Sequence, residues 1–181
     1  MNTQKTIFIT GTSSGLGRAS TKLFSSQAWR VIATMRGQDA GKEAELKKLP
    51  GVKVLPLDVA EPAQIIDCES MAFELKRFGI GMKTIEPGGM KTDFFTRSFD
   101  TGRHAAYEGL VERVMDAIAD PKAIATYSTP DQIAEVVYEA ATDGKDQLRY
   151  VAGADAKTTY ATRLQLGDEA FRNAMDQRFF G

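Results

Sequence analysis

The sequence has one cysteine, Cys68, one histidine, His104, one tryptophan and 6 prolines among 181 residues. A single cysteine excludes a disulfide framework and a cysteine-built zinc site, and it suits a reducing compartment. His104 stands alone at an expected helix start and reads as an exposed residue, so no metal site is expected. Charge of one sign is also missing: 23 Lys and Arg face 24 Asp and Glu, for a net charge of −1. That balance excludes a basic nucleic-acid footprint and an acidic solvating tail. No apolar run reaches the length of a membrane span. No basic-then-apolar leader follows Met1. Together these absences predict a soluble cytoplasmic protein with no nucleic-acid or membrane partner. Repeats, low-complexity stretches and linkers are absent as well, so residues 1–181 read as a single domain able to bury its own core.

What is present alternates between strand and helix. Residues 7–10 form a short β-branched run closed by Gly11 and read as a buried strand. Residues 15–28 read as a helix with Leu16, Ala19, Leu23 and Ala28 on one face. Residues 30–35 and 52–57 read as further strands, with a charged helix over 40–49 between them. This βαβαβ order implies a parallel sheet with helices on both faces. Downstream, residues 61–78 keep helical spacing and 82–86 form a weaker strand broken by Pro87-Gly88-Gly89. Residues 103–119 read as a helix. Thr129-Pro130-Asp131-Gln132 opens another that ends near Gly144. Residues 148–152 form a fifth strand, and the tail shows short helical patterns.

The strongest motif is Thr10-Gly11-Thr12-Ser13-Ser14-Gly15-Leu16-Gly17. It follows a strand and opens a helix. Glycines there let the backbone turn tightly and approach a pyrophosphate, while the helix N-terminus offers free N–H groups and a positive dipole end. Gly11, Ser13, Ser14, Gly15, Leu16 and Gly17 are therefore the candidate phosphate cradle. No Lys-Ser or Lys-Thr follows, which excludes a P-loop. A tight turn without a ligand is the plain alternative; the complete βαβ unit around the loop favours a nucleotide.

The T-G-x-x-x-G-x-G spacing resembles the short-chain dehydrogenase/reductase family. Asp58-Val59, after the third strand, resembles that family's adenine-binding Asp. Ile85-Glu86-Pro87-Gly88-Gly89-Met90-Lys91-Thr92 resembles the segment that meets the nicotinamide end, which implies roles for Pro87, Gly88, Met90 and Thr92. The matching blocks cover residues 1–66 and 69 to the end. The resemblance implies a Rossmann-like, doubly wound parallel α/β sheet, with five strands expected in the order 3-2-1-4-5. It implies NADP as cofactor rather than NAD. Met35 and Arg36 stand where NAD-preferring members carry an acid, and an Arg pairs with a 2′-phosphate that an acid would repel. Ser13 would add a hydrogen bond to that phosphate. The expected substrate is a small carbonyl or alcohol held near residues 92–107, where Phe94, Phe95 and Phe99 suit an apolar compound.

The chain departs from the family at its chemistry. Hydride transfer there uses a Tyr, a Lys four residues later and a Ser. None of the 5 tyrosines, Tyr107, Tyr127, Tyr138, Tyr150 and Tyr160, has Lys at the fourth following position. The family's Asn-Asn-Ala-Gly motif is absent, since the only asparagines are Asn2 and Asn173. No catalytic residue is therefore assigned. The gap falls near residues 66–69 and corresponds to about 90 residues of the family pattern. Either the natural protein carries a central segment missing here, or the chain is a true deletion form. In the second case residues 62–78 should form one fused helix, and 82–86 should pair beside 6–10. The family's dimer interface should also be lost. The resemblance is to an NADP(H)-dependent oxidoreductase, inactive in this truncated form. The alternative is a non-catalytic nucleotide-binding or interaction protein.

Overall fold

A computed structural model describes residues 5–35, 40–56, 73–74, 76–79, 81–94 and 108–180, with only the backbone at Glu108 and Phe180. Arg36, Asp58, Val59, Phe95, Phe99 and Tyr107, the junction at 66–69 and most of the expected helix over 62–78 lie outside the described residues. The chain divides into two compact units: Met1–Ile85 with Pro130–Tyr150, and Glu86–Thr129 with Val151–Gly181.

The first unit is built on β1 (Thr6–Ile9), α1 (Gly15–Ser26), β2 (Arg30–Met35), α2 (Ala40–Lys47) and β3 (Val52–Pro56). The strands form a parallel sheet with β2 in the middle, Ile7 beside Val31 and Ala33 beside Val54. Side chains alternate across a strand, and the odd-numbered residues of this sheet face the core. Val31, Ala33, Met35 and Val54 are buried there with Phe24 and Leu46. On the other face Phe8 is 55% and Leu55 37% exposed.

Helix α1 packs against α5 (Pro130–Thr142), as in the expected helix opening at Thr129. Its buried residues are Ala19, Ser20, Thr21, Phe24 and Ser25 rather than the Leu16-Leu23 stripe that the apolar pattern predicts. Small hydroxyl residues can be buried here because they bond to backbone. Thr21 Oγ1 donates to the Gly17 carbonyl at 2.9 Å and Ser25 Oγ to the Pro50 carbonyl at 2.7 Å. The helix also stops before Ala28, which sits outside it at φ 59°. Ala28 N–H bonds the Ser25 carbonyl and Trp29 N–H the Phe24 carbonyl, each at 3.1 Å. These bonds make a Schellman stop, and Trp29 packs edge-on to Phe24 at 5.0 Å.

Strands β4 (Thr84–Pro87) and β5 (Arg149–Ala152) form a separate two-stranded sheet. Thr84 N–H bonds the Leu148 carbonyl at 2.7 Å and Gly88 N–H the Ala152 carbonyl at 3.0 Å, so the two run parallel. The described pairings thus give a three-stranded and a two-stranded sheet. The ladder between β1 and β4 that a continuous 3-2-1-4-5 order requires is not among them. The second unit carries α3 (Glu108–Ala119), α4 (Pro121–Thr126), α6 (Ala154–Leu166) and α7 (Asp168–Phe180). Asp120 caps α4 by accepting from Lys122 N–H at 2.9 Å, with Pro121 in the first turn. The tail, expected to show only short helical pieces, forms two helices of 13 residues each. Gly167, at φ 78°, breaks them apart, and Arg163 Nε bonds Asp168 Oδ1 across the break at 2.8 Å.

Candidate nucleotide-binding site

The glycine loop belongs to the first unit. Gly11 adopts φ 64° and Gly15 φ 51°, the left-handed region that favours glycine. Open space surrounds Gly11, with no atom within 4 Å of where a Cβ would sit. Gly17 is the reverse case. Its Cβ would lie 2.5 Å from the Gly11 carbonyl oxygen and 2.8 Å from that of Thr10. Glycine at 17 therefore lets α1 sit directly on the loop, while glycine at 11 leaves backbone open to a ligand.

Thr12 fixes the loop from below. It is fully buried, and its N–H and Oγ1 both donate to the Thr34 carbonyl, at 3.0 and 3.1 Å. Thr34 Oγ1 in turn donates to the Ile9 carbonyl at 3.3 Å. The loop is thereby tied to the end of β2, next to the position of Arg36 in the chain. Ser13, Ser14, Gly15, Leu16 and Gly17 are half-buried. Ser14 is the residue before α1, yet its side chain makes no capping bond, and no acid occupies the first turn. The positive end of α1 is left free of a side-chain anion, which suits a phosphate. Arg18 follows at once and pairs with Glu45 of α2.

Pro87, Gly88, Met90 and Thr92 belong to the second unit, apart from the loop in sequence. The turn after β4 is held on several sides. Gly88 N–H bonds Ala152, Ser128 N–H bonds the Gly89 carbonyl at 3.0 Å, and Met90 bridges to Ser128. Gly89 N–H donates to Asp155 Oδ2 at 2.7 Å. Thr92 Oγ1 accepts from Phe94 N–H at 3.4 Å, and Phe94 is 50% exposed.

Two features escaped the sequence reading. Thr12 and Thr34 act through backbone bonds that leave no periodic trace. Asp155 had one available signal, a Gly-x-Asp step directly after a strand. The structure also brings a tyrosine beside a lysine. Tyr150 is buried, and its hydroxyl donates to Asp143 Oδ2 at 2.6 Å, with Lys83 Nζ 3.3 Å away. Burial and the Asp143 bond push the Tyr150 hydroxyl up to about 12. The Tyr150 bond, helped by Lys145 N–H, holds the Asp143 carboxyl below its usual range. Among the described residues no cluster of three or more His, Cys, Asp or Glu is placed to hold a metal. Nor is any of their helices long and apolar enough to cross a membrane.

No family model matches the chain. Two uncharacterized oxidoreductases of Schizosaccharomyces pombe are 33% identical to it over 103 residues, 57% of this chain. The match spans 43% of the length of those relatives. Among solved structures, a short-chain dehydrogenase from Streptomyces avermitilis superposes with a TM-score of 0.68 at 16% identity, covering 91% of this chain and 94% of that one. YwfH, an NADPH-dependent reductase involved in bacilysin biosynthesis, gives 0.58 at 13% identity, covering 85% and 98%. The fold is that of the short-chain dehydrogenases/reductases.

Proposed function

We propose that the chain is an NADP(H)-binding member of the short-chain dehydrogenase/reductase family. The observation that carries this reading is the loop over 10–17, where Gly11 is open and left-handed, Gly17 is packed on backbone, and the helix end is free of an acid. Gly11, Ser13, Ser14, Gly15, Leu16 and Gly17 would hold the pyrophosphate. Asp58 and Val59 would hold the adenine, and Arg36 the 2′-phosphate. Pro87, Gly88, Met90 and Thr92 would hold the nicotinamide end. When bound, the cofactor supplies a hydride donor or acceptor for a small carbonyl or alcohol.

The chain's own residues do the binding and orienting, but no side chain is identified that could protonate a substrate oxygen. General acid–base help is worth roughly a hundredfold to ten-thousandfold. We therefore propose binding without useful turnover in this chain, in a monomer that lacks the family's dimer contact. A non-catalytic nucleotide-binding role is the second reading, favoured by the raised Tyr150 hydroxyl beside Lys83. The test is to titrate NADPH and follow its fluorescence, then to follow its absorbance with a panel of ketones and quinones. Binding with flat absorbance is expected. Absence of binding would sink the nucleotide reading, and steady turnover by a preparation verified at 181 residues would sink the inactivity.

A further inference from the structure

We propose that Asp155 is a positioning residue, setting the Pro87-Gly88-Gly89 turn for the nicotinamide end of the cofactor. The inference rests on the nucleotide reading above. Asp155 lies in the first turn of α6, where the helix dipole favours a carboxylate. Its Oδ2 accepts the Gly89 N–H at 2.7 Å, a charge-assisted bond. The carboxylate also lies flat against the turn. A Cβ on Gly88 would come within 2.3 Å of both of its oxygens, and one on Gly153 within 2.9 Å of Oδ1. Gly88 and Gly153 therefore have no side chain where Asp155 sits.

Two further observations separate this from simple packing. Asp155 Oδ1 is buried and has no hydrogen-bond partner. Such an oxygen is costly, and a residue that only filled space would carry none. A cavity of about 330 Å³ lined by Pro87, Gly88, Asp155 and Phe171, among others, adjoins the turn. Without the carboxylate, the turn has room to shift on that side. Met90 and Thr92 follow within the next residues, so a shift at Gly89 carries directly to them.

The experiment compares two ligands on wild type, Asp155→Ala and Asp155→Asn. NADPH uses both ends of the proposed site, while adenosine 2′,5′-bisphosphate uses only the adenine end. Loss of a charge-assisted bond should weaken NADPH about tenfold in Asp155→Ala. Asn keeps an uncharged acceptor, and neutral bonds are about half as strong, so Asp155→Asn should lose about threefold. Adenosine 2′,5′-bisphosphate should bind all three alike, and this selectivity is what a merely structural role would not produce. If Asp155→Ala does not fold, the Asn variant decides alone. Equal losses for both ligands, or no loss for NADPH, overturn the proposal and leave the nucleotide reading standing. A wild-type chain that binds neither ligand overturns both.

Discussion

Replacing Gly17 by alanine tests the loop geometry most directly. The new Cβ would sit 2.5 Å from the Gly11 oxygen and 2.8 Å from both the Gly11 carbonyl carbon and the Thr10 oxygen. All three atoms are backbone, so no flexible side chain can give way. Ordinary C···O approaches run at roughly 3.3 Å or more, so α1 would have to withdraw by on the order of 0.8 Å. Helix propensity acts in the opposite direction, since alanine is favoured over glycine by about 1 kcal/mol. Overpacking costs about 1–3 kcal/mol, and rigid backbone places this site at the upper end. The net expectation is a loss of about 2 kcal/mol. The withdrawal would also move the N–H groups that face the phosphate, so NADPH affinity should fall at least about tenfold. Urea unfolding at constant m measures the first quantity and fluorescence titration the second. A Gly17→Ala protein with the wild-type midpoint and wild-type affinity would refute the close seating of α1 on the loop.

Arg36→Ala should weaken NADPH by about tenfold to a hundredfold and NADH far less, because a charge-assisted bond is worth roughly 1.5–3 kcal/mol; equal losses in parallel titrations would remove Arg36 from the 2′-phosphate. Ala28→Gly should raise the unfolding midpoint, since a non-glycine residue in the left-handed region costs roughly 1–2 kcal/mol, partly offset by the freer unfolded chain. Stability against pH should fall on the alkaline side. Tyr150 moves from 10.0 to about 12 on folding, so its contribution is full below pH 10 and is lost as the pH rises towards 12. Subtracting the curve of Tyr150→Phe should isolate that limb, and identical curves would contradict it. Asp143 shifts the other way, so its contribution is present above its model value of 3.8 and is lost as pH falls through the lower folded value; Asp143→Asn should be less acid-sensitive than wild type.

The first unit was largely legible because its signals are local. Val31, Ala33 and Val54 lie in short β-branched runs, and Gly11, Gly15 and Gly17 punctuate the turn where the backbone needs them. The face of α1 was misread because the helix buries Ser20, Thr21 and Ser25, which a hydrophobic pattern counts as surface. Their hydroxyls find backbone acceptors that no periodicity announces. The tail helices were understated for a related reason: α6 has no buried residue, so little apolar stripe marks it. The separation of β4 and β5 from the first sheet was not legible at all, because strand pairing depends on partners far away in sequence. Asp155 was missed because its importance comes from the space that Gly88 and Gly153 leave for it, a relation spanning 67 positions between residues 88 and 155.

The Tyr150 cluster shows why residue types alone do not make a catalytic centre. In the family pattern a lysine lowers the acidity constant of its tyrosine, so that the hydroxyl can give up a proton near neutrality. Here Lys83 Nζ lies 3.3 Å from the Tyr150 hydroxyl, and its attraction alone would act in that direction. Asp143 reverses the balance. Its carboxylate accepts the hydroxyl proton at 2.6 Å, and a bond to the neutral form opposes ionisation. Burial opposes it as well, and these effects together carry the hydroxyl up to about 12. Lys83 is meanwhile engaged with the Gln147 carbonyl at 2.9 Å and with the Lys145 carbonyl. The three side chains therefore clamp the turn between α5 and β5 rather than supply an acid. Removing Asp143 would free the hydroxyl without giving it a substrate, since the loop over 10–17 is built from other residues. Turnover by a longer natural chain would place the missing acid in the segment that this sequence lacks near 66–69.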